Sequence, residues 1–239
     1  NRQKSVARRL LADEDPKSPI SEAYRSLRTS LIFNSEEDSS GKIILVSSPG
    51  PGEGKTTTVA NLAITYANMG KKTLLIDSDL RKPVLHKIFT NHKGLGITNY
   101  LTDNNQNLDK IIYESDIENL SICTSGPVPP NPSELISSIN FSSFIDSVKE
   151  KYDMILIDTP PLIAVTDAFI ISKFVDKFIL VIRASKTQKG ALNRTLINLE
   201  NINVELEGVV FNGVDENNSY GGDYYYQYYQ EYYGDKTKW

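Results

Sequence analysis

The sequence is poor in cysteine and lacks long apolar runs, and each shortage excludes a kind of structure. Cys123 is the only cysteine in 239 residues, so no disulfide can form within the chain. Its thiol is expected to be a small buried apolar group in a strand. No apolar run approaches the roughly 20 residues that a transmembrane helix needs. The formal net charge of −4 argues against nucleic acid as the main partner.

A glycine-rich turn at residues 47–58 lies between a predicted strand and a predicted helix. The order strand, turn, Gly-Lys-Thr, helix is typical of a phosphate-binding loop, in which backbone N–H groups and the helix N-terminus hold phosphate oxygens. Lys55 would reach the β- and γ-phosphates, and the Thr56 hydroxyl would hold Mg²⁺. Pro49 stands where the strict motif has glycine. The predicted nucleotide-binding residues of the loop are Pro51, Gly52, Glu53, Gly54, Lys55, Thr56 and Thr57.

Continuous apolar runs alternate with helical stretches along the rest of the chain. Such runs are typical of strands in a mostly parallel sheet that is covered by helices on both faces. The sequence therefore predicts an α/β fold of the phosphate-loop NTPase kind, with the central domain over residues 14–219. A basic juxtamembrane or linker segment at 1–13 precedes it, and a tyrosine cluster at 220–239 follows it. The predicted strands are 42–46, 72–76, 120–124, 153–157, 177–182 and 206–211.

Three aspartates follow two of the predicted buried strands. Because ligands of open parallel sheets bind beyond the carboxyl ends of strands, these side chains are expected to converge on the phosphate loop. Asp158 would hold Mg²⁺ together with Thr56, directly or through water. Of Asp77 and Asp79, one would assist the metal and the other would accept a proton from an incoming hydroxyl. The expected catalytic residues are Lys55, Asp77, Asp79 and Asp158, and the expected metal ligands are Thr56, Asp77 and Asp158.

A helix is predicted before the first strand, with Ser18 as N-cap and Pro19 as its first residue. Glu22, Arg25 and Arg28 are spaced at i, i+3 and i+6, mostly opposite the apolar side, and predict an exposed charged face. From these residues alone, a solvated face with an internal ion pair is the favoured interpretation. The predicted apolar side consists of Ile20, Ala23, Tyr24, Leu27 and Leu31.

The terminus is dominated by tyrosine. Eight of the 13 tyrosines lie between positions 220 and 235, in a polar segment with no aliphatic residue. The segment has no period of 2 or 3.6, so core packing does not account for it, and low-complexity segments of this kind are often disordered.

Taken together, these motifs make the chain resemble, over nearly its whole length, the bacterial tyrosine kinases that control capsule or exopolysaccharide synthesis. The matching segments are the phosphate loop, Leu75–Pro83 and Ile155–Pro161. The proline-rich segment at 126–135, the charged helix and the tyrosine-rich terminus match as well. In that family the motif that corresponds to Leu75–Pro83 is unique to the kinases, and glycine is not required at the position of Pro49.

The resemblance implies ATP as phosphate donor, ADP as product and Mg²⁺ as cofactor, with adenine read near Asn212. It implies a ring of identical subunits, assembled through Glu22, Arg25 and Arg28, in which each subunit's terminus enters its neighbour's active site. The implied phosphate acceptors are Tyr220, Tyr224, Tyr225, Tyr226, Tyr228, Tyr229, Tyr232 and Tyr233.

The resemblance also implies partners at the membrane. The family needs a transmembrane activator of the polysaccharide co-polymerase kind, fused or separate, and a cognate tyrosine phosphatase would reverse the reaction; nucleic acid is not expected. The basic segment at 1–13 suits anionic lipid, although a solvated terminus explains it equally well. We therefore expect a cytoplasmic location at the inner face of the cell membrane.

Two alternative functions stay open. One is an ATPase of the partitioning and cell-division-site class, which shares the fold. Those ATPases carry an additional lysine five residues before the invariant one, where this chain has Gly50. The other is a nucleotide-dependent scaffold without phosphate transfer, which the intact Lys55, Asp77, Asp79 and Asp158 disfavour.

Overall fold

The structure describes most of the predicted central domain. The predicted tyrosine cluster and, apart from Ala12, the basic segment lie outside the described residues, and so do both predicted domain boundaries. No helix in the described part is long and apolar enough to span a bilayer. The computed structural model describes residues 12, 18–33, 41–89, 94–103 and 107–214.

The described residues form one seven-stranded sheet in the order β3-β4-β2-β5-β1-β6-β7. All neighbouring strands are parallel except β3 and β4, which are antiparallel. The strands are β1 (Lys42–Ser47), β2 (Thr73–Asp77), β3 (Ile112–Glu114), β4 (Leu120–Cys123), β5 (Met154–Asp158), β6 (Lys177–Arg183) and β7 (Gly208–Asn212).

Helices connect the parallel strands. The α-helices are α1 (Pro19–Phe33), α2 (Lys55–Ala67), α3 (Leu85–Phe89), α4 (Ile97–Thr102), α5 (Pro132–Ile136), α6 (Ile139–Lys149), α7 (Asp167–Ile171) and α8 (Lys189–Asn201). Short 3₁₀ turns follow at Leu108–Lys110 and Ser172–Phe174.

Both faces of the sheet are buried, as the continuous apolar strands predict. Along β1, Ile43 and Leu45 pack into one apolar cluster, whereas Ile44 and Val46 pack into another on the opposite face. Helices α6, α7 and α8 contribute to the first cluster, and α1 and α2 contribute to the second. The predicted fold class is therefore confirmed.

The six predicted strands are confirmed to within two residues at each end. Strand β3 was missed, because its three residues are only half-buried or exposed and carry no continuous apolar run. It pairs antiparallel with β4 at the edge of the sheet, with Tyr113 opposite Ile122. Cys123 is confirmed as a buried thiol in β4.

Helix α1 begins and ends as predicted, and the Ser18 Oγ accepts a hydrogen bond from the Ser21 backbone N–H at 3.1 Å. The prediction of its apolar side was partly wrong. Leu31 is buried and Leu27 packs beside it, but Ile20 is 49% exposed and Ala23 is exposed as well. Tyr24, in the first half of the helix, is half-buried and its side chain reaches Thr58 of α2, so contacts with α2 extend along the helix.

The predicted charged face of α1 is also only partly correct. The ion pair between Arg25 Nε and Glu22 Oε2 is present at 2.7 Å. Arg28 instead turns towards α2 and donates from Nη1 to the Thr65 carbonyl oxygen at 2.6 Å. Because Thr65 lies in the last turn of α2, Arg28 fixes how α1 lies on that helix.

Candidate active site

The strand order brings the carboxyl ends of β1, β5 and β2 next to one another. Strand β5 lies between β1 and β2, and Asp158 pairs with Val46 on one side and with Asp77 on the other. The phosphate loop follows β1, so its lysine faces the aspartates that end β2 and β5. The predicted convergence is thus a direct result of the strand order.

The phosphate loop is closed by glycines in a conformation that side chains disfavour. Gly52 has φ +72° and Gly54 has φ +105°, both in the left-handed region. A Cβ on Gly54 would overlap Asn212 Nδ2, and a Cβ on Gly52 would overlap Lys186 Nζ. Glycine takes these positive φ values without strain, so the loop can hold its backbone N–H groups in a narrow concave turn.

The ammonium of Lys55 lies between two carboxylates. Its Nζ is 3.2 Å from Asp158 Oδ1 and 3.5 Å from Asp79 Oδ2, and it donates to Thr56 Oγ1 at 3.2 Å. The Thr56 hydroxyl in turn donates to Asp158 Oδ2 at 2.6 Å. Burial would lower the pKa of Lys55, but the facing carboxylates of Asp158, Asp79 and Asp77 outweigh it and raise that pKa. The lysine is therefore a permanent cation in this site.

Both carboxylate oxygens of Asp77 accept hydrogen bonds from backbone N–H groups. Its Oδ1 accepts from the Asp79 N–H at 3.2 Å, and its Oδ2 accepts from the N–H groups of Val84 and Leu85 at 3.0 and 2.9 Å. Burial, followed by the neighbouring Asp158 carboxylate, raises the pKa of Asp77. This side chain therefore fixes the turn that follows β2.

Asp79 and Asp158 lie closer to the lysine. Asp79 Oδ1 accepts from the Lys82 N–H at 2.9 Å, which leaves Oδ2 directed at Lys55. Burial raises the pKa of Asp158, and Lys55 and Thr56 oppose that rise. Of the three aspartates, these two present side-chain oxygens to the lysine.

A second layer of contacts supports the phosphate loop from outside. Glu53 Oε2 accepts from the Gly50 N–H at 2.9 Å, and its Oε1 accepts from the Thr187 hydroxyl at 2.7 Å. Asn212 Nδ2 donates to the Glu53 carbonyl oxygen at 3.0 Å. Asn212, at the end of β7, is thereby brought to the loop.

Three residues at or near the end of β6 and at the start of α7 were not anticipated from the sequence. Lys186 Nζ and Arg183 Nη1 donate to the Gly52 carbonyl oxygen at 3.0 and 3.3 Å. Asp167, at the start of α7, is fully buried and holds Arg81. Their positions in the sequence carry no motif, and only the order of β1, β6 and β7 brings the first two to the loop.

Asp167 connects the loops that follow β2, β4 and β5. Arg81 donates to it from Nε at 2.8 Å and from Nη2 at 3.1 Å. Ser133, in the proline-rich segment, donates to Asp167 Oδ1 at 2.6 Å and accepts from Arg81 Nη2 at 2.7 Å. The segment at 126–135 is therefore joined to the aspartate motif through a side-chain network.

The donors at this site fit a magnesium ion that is shared with phosphate. Among the described residues there is no group of three or more His, Cys, Asp and Glu side chains that could hold a metal alone. Mg²⁺ in nucleotide sites commonly takes one or two protein oxygens and completes its shell with phosphates and water. The Thr56 hydroxyl and the Asp158 carboxylate, 2.6 Å apart, provide such a pair.

The predicted interface residues of α1 lie away from this centre. Glu22, Arg25 and Arg28 lie on α1, which contacts α2 at Thr65, whereas Lys55 begins α2. Ten residues of helix separate the two ends by about 15 Å. The predicted acceptor tyrosines lie outside the described residues.

Sequence comparison places the chain among known kinases. The family description that it matches is that of an AAA domain, over residues 41–208. The chain is 39% identical over 223 residues to tyrosine-protein kinase YwqD of Bacillus subtilis (strain 168), an alignment that covers 92% of this chain and 93% of that protein.

Two solved structures have the same fold at substantial identity. The chimerical protein CapA2B2 aligns with a TM-score of 0.80 and 39% identity over 85% of this chain and 88% of that chain. The kinase domain of Escherichia coli tyrosine kinase ETK aligns with a TM-score of 0.82 and 33% identity over 88% of this chain and 82% of that chain. Phosphate loop, paired aspartate motifs and overall similarity agree, and the chain belongs to the family of bacterial tyrosine-protein kinases.

Proposed function

We propose that the protein is an autokinase that transfers the γ-phosphate of ATP to tyrosines in the terminal segment of a neighbouring copy. The observation that carries the proposal is the position of Lys55 Nζ, 3.2 Å from Asp158 and 3.5 Å from Asp79. A cation for the phosphate and a carboxylate for the incoming hydroxyl therefore lie side by side. The many hydroxyls of the tyrosine-rich terminus supply an acceptor.

The nucleotide would be held mainly by the phosphate loop. Its backbone N–H groups and the start of α2 favour phosphate oxygens, and Lys55 adds a full positive charge next to the transferred group. Asn212 would read adenine, since its side chain already contacts the loop at the Glu53 carbonyl oxygen.

Bound Mg²⁺ would neutralise charge that develops on the β- and γ-phosphates. Thr56 and Asp158 are the residues that we assign to hold it. Asp77 is assigned a positioning role instead, because both of its carboxylate oxygens accept backbone N–H groups. Fixing the turn after β2 in this way keeps Asp79 directed at the lysine.

Asp79 is the group that we assign to accept the proton. The tyrosine oxygen forms a bond to the γ-phosphorus, the bond between that phosphorus and the bridging oxygen breaks, and ADP leaves. The phenol proton moves to Asp79, whose Oδ2 has only the Lys55 ammonium, at 3.5 Å, as a partner among the contacts described above.

Incubation of the protein with Mg-ATP, followed by mapping of phosphotyrosine, tests the proposal. The expected result is phosphate on the tyrosines of 220–233 in the wild type and in a Lys71→Met control, and none in Lys55→Met. Lys71 is exposed and precedes β2, at the opposite end of the sheet from the site. Labelling in Lys55→Met, or ATP hydrolysis without phosphotyrosine, would refute the kinase assignment and favour the ATPase alternative.

We further propose that copies assemble into a ring through α1, with Glu22 and Arg25 at the contact and Arg28 holding the helix in place. Each phosphate adds roughly −1.5 to −2 charges near pH 7. Several on one terminus would repel it from the aspartate-lined site, so phosphorylation would loosen the ring. Equal oligomer size before and after phosphorylation would contradict this.

The assembly would operate at the inner face of the cell membrane, with a transmembrane activator and a cognate tyrosine phosphatase as partners. Cycling between assembled and dispersed states would then regulate capsule or exopolysaccharide export. The basic segment at 1–13 supports a location next to anionic lipid. Flotation of the full chain with vesicles that contain phosphatidylserine, but not with neutral vesicles, is the expected result.

A further inference from the structure

A cavity of about 1010 Å³ lies next to the candidate active site, on the side away from the phosphate loop. Its walls come from the turn after β2, from α3 and from the loop after β4. The same turn supports the site, because its Lys82 and Val84 N–H groups donate to Asp79 and Asp77. The cavity and the site therefore share one wall.

The lining combines positive charge with exposed apolar surface. Lys82 and Lys87 are exposed at the cavity, and no acidic side chain lines it. Leu95 is 46% exposed and Val128 is 60% exposed, so two apolar groups face solvent there. The Tyr113 hydroxyl donates to the Leu95 carbonyl oxygen at 2.8 Å and fixes that part of the wall. An aromatic ligand with adjacent negative charge matches this lining.

One segment of the chain has that chemistry. Residues 220–235 carry eight tyrosines and three acidic residues, Asp223, Glu231 and Asp235, with no lysine or arginine. We propose that the cavity is a docking site for this segment and holds one tyrosine and its acidic neighbour while another tyrosine reacts. The inference rests on the proposed function, since it assigns a place to the non-reacting part of the same acceptor.

The spacing of the tyrosines allows one to lie in the cavity while another lies at the carboxylates. Lys82 lines the cavity, and its N–H donates to Asp79 Oδ1 at 2.9 Å, so the cavity begins beside the Asp79 carboxylate. An extended peptide advances about 3.3–3.6 Å per residue. A tyrosine in the cavity would leave another, two to four residues along the chain, at the carboxylates. The groups 224–226, 228–229 and 232–233 provide these separations.

Peptide binding tests the docking site separately from catalysis. The probe is a fluorescent peptide of residues 220–235, titrated with the full chain in the absence of ATP. Lys87→Glu inverts one charge of the lining and is expected to weaken binding about tenfold. Val128→Asp is expected to weaken it as well. Lys71→Glu makes the same change of charge at the far end of the sheet and is expected to bind like the wild type.

A second peptide tests whether the acidic residues of the segment are the partners of Lys87. Replacing Asp223, Glu231 and Asp235 by their amides should weaken binding to the wild type but cause little further loss with Lys87→Glu. Independent, additive losses, or equal binding by the Lys87→Glu and Lys71→Glu variants, would overturn the docking site. ATP affinity is expected to stay the same in every variant.

Phosphate transfer to the peptide separates the two proposals. Under the docking proposal, Lys87→Glu raises KM for the peptide and leaves kcat unchanged. If transfer occurs with an unchanged KM, the docking site is wrong while the kinase assignment stands. If the peptide binds in a Lys87-dependent way and no transfer occurs, the docking site stands while the proposed function fails.

Discussion

Removal of the Arg81 guanidinium is expected to destabilise the protein far more than its surface position indicates. The Asp167 carboxylate that it holds is 0% exposed, whereas the Arg81 side chain is 36% exposed. In Arg81→Met the buried carboxylate keeps, among the side chains that the structure describes, only the Ser133 hydroxyl as a donor. Breaking a buried ion pair from one side costs about 3–5 kcal/mol, because the remaining charge stays buried and uncompensated.

Solvent screening at Arg81 reduces that figure, and we expect a loss of about 2–3 kcal/mol in the free energy of unfolding. For a domain of this size the loss lowers Tm by about 4–12 °C. Urea unfolding followed by circular dichroism measures the free energy, and a thermal scan measures Tm. Arg194→Met, which removes an exposed arginine of α8, is the matched control and is expected to cost under about 0.5 kcal/mol.

A second substitution is expected to restore part of the stability that Arg81→Met loses. Arg81→Met combined with Asp167→Leu should be more stable than Arg81→Met alone, because the second change removes the uncompensated charge. A double variant that is less stable than Arg81→Met, or an Arg81→Met variant as stable as Arg194→Met, would refute the account of a buried charge network.

Other perturbations test the remaining parts of the structure. Gly54→Ala should abolish ATP binding in a filter assay, because its Cβ would overlap Asn212 Nδ2 and φ is +105°; retained binding would contradict the glycine requirement. Leu31→Ala should lower stability by about 2–4 kcal/mol in urea unfolding, since this buried side chain joins α1 to α2; a negligible loss would show that α1 is held mainly by Arg28. The pKa of Asp77 rises from 3.8 to about 7, so the folded state binds its proton more tightly than the unfolded state. Stability without nucleotide should therefore fall as pH rises from about 4 to about 7, and Asp77→Asn should flatten that dependence in urea midpoints; an unchanged slope would contradict it.

Local sequence patterns were sufficient for much of the site. The strand, glycine turn and Gly54-Lys55-Thr56 order located the phosphate loop, because each step depends only on neighbouring residues. Asp79 and Asp158 were placed at strand ends, and the parallel sheet then brings them to Lys55. The division of roles between Asp77 and Asp79 could not be predicted, because it depends on the backbone N–H groups of the turn at 82–85.

Contacts between distant segments were missed for a physical reason. Lys186 and Thr187 reach the phosphate loop only because β6 lies beside β1, and Asp167 meets Arg81 only because β5 lies beside β2. Arg28 was expected in solvent, because helical spacing assigns a residue to one side of α1. It does not show which residues on that side contact α2. Strand β3 is too short and too exposed for its pattern to differ from a loop.

The strand order also places the phosphate loop and the cavity on opposite sides of β5. The phosphate loop follows β1 and is contacted by Arg183 and Asn212, the last residues of β6 and β7, and by Lys186. The turn after β2 and the loop after β4 line the cavity, and β5 lies between β1 and β2. Under the docking proposal, changes in the loop after β4 would alter which polypeptide is accepted without disturbing how the nucleotide is held. Donor and acceptor specificity would then be separable traits, open to independent selection or engineering.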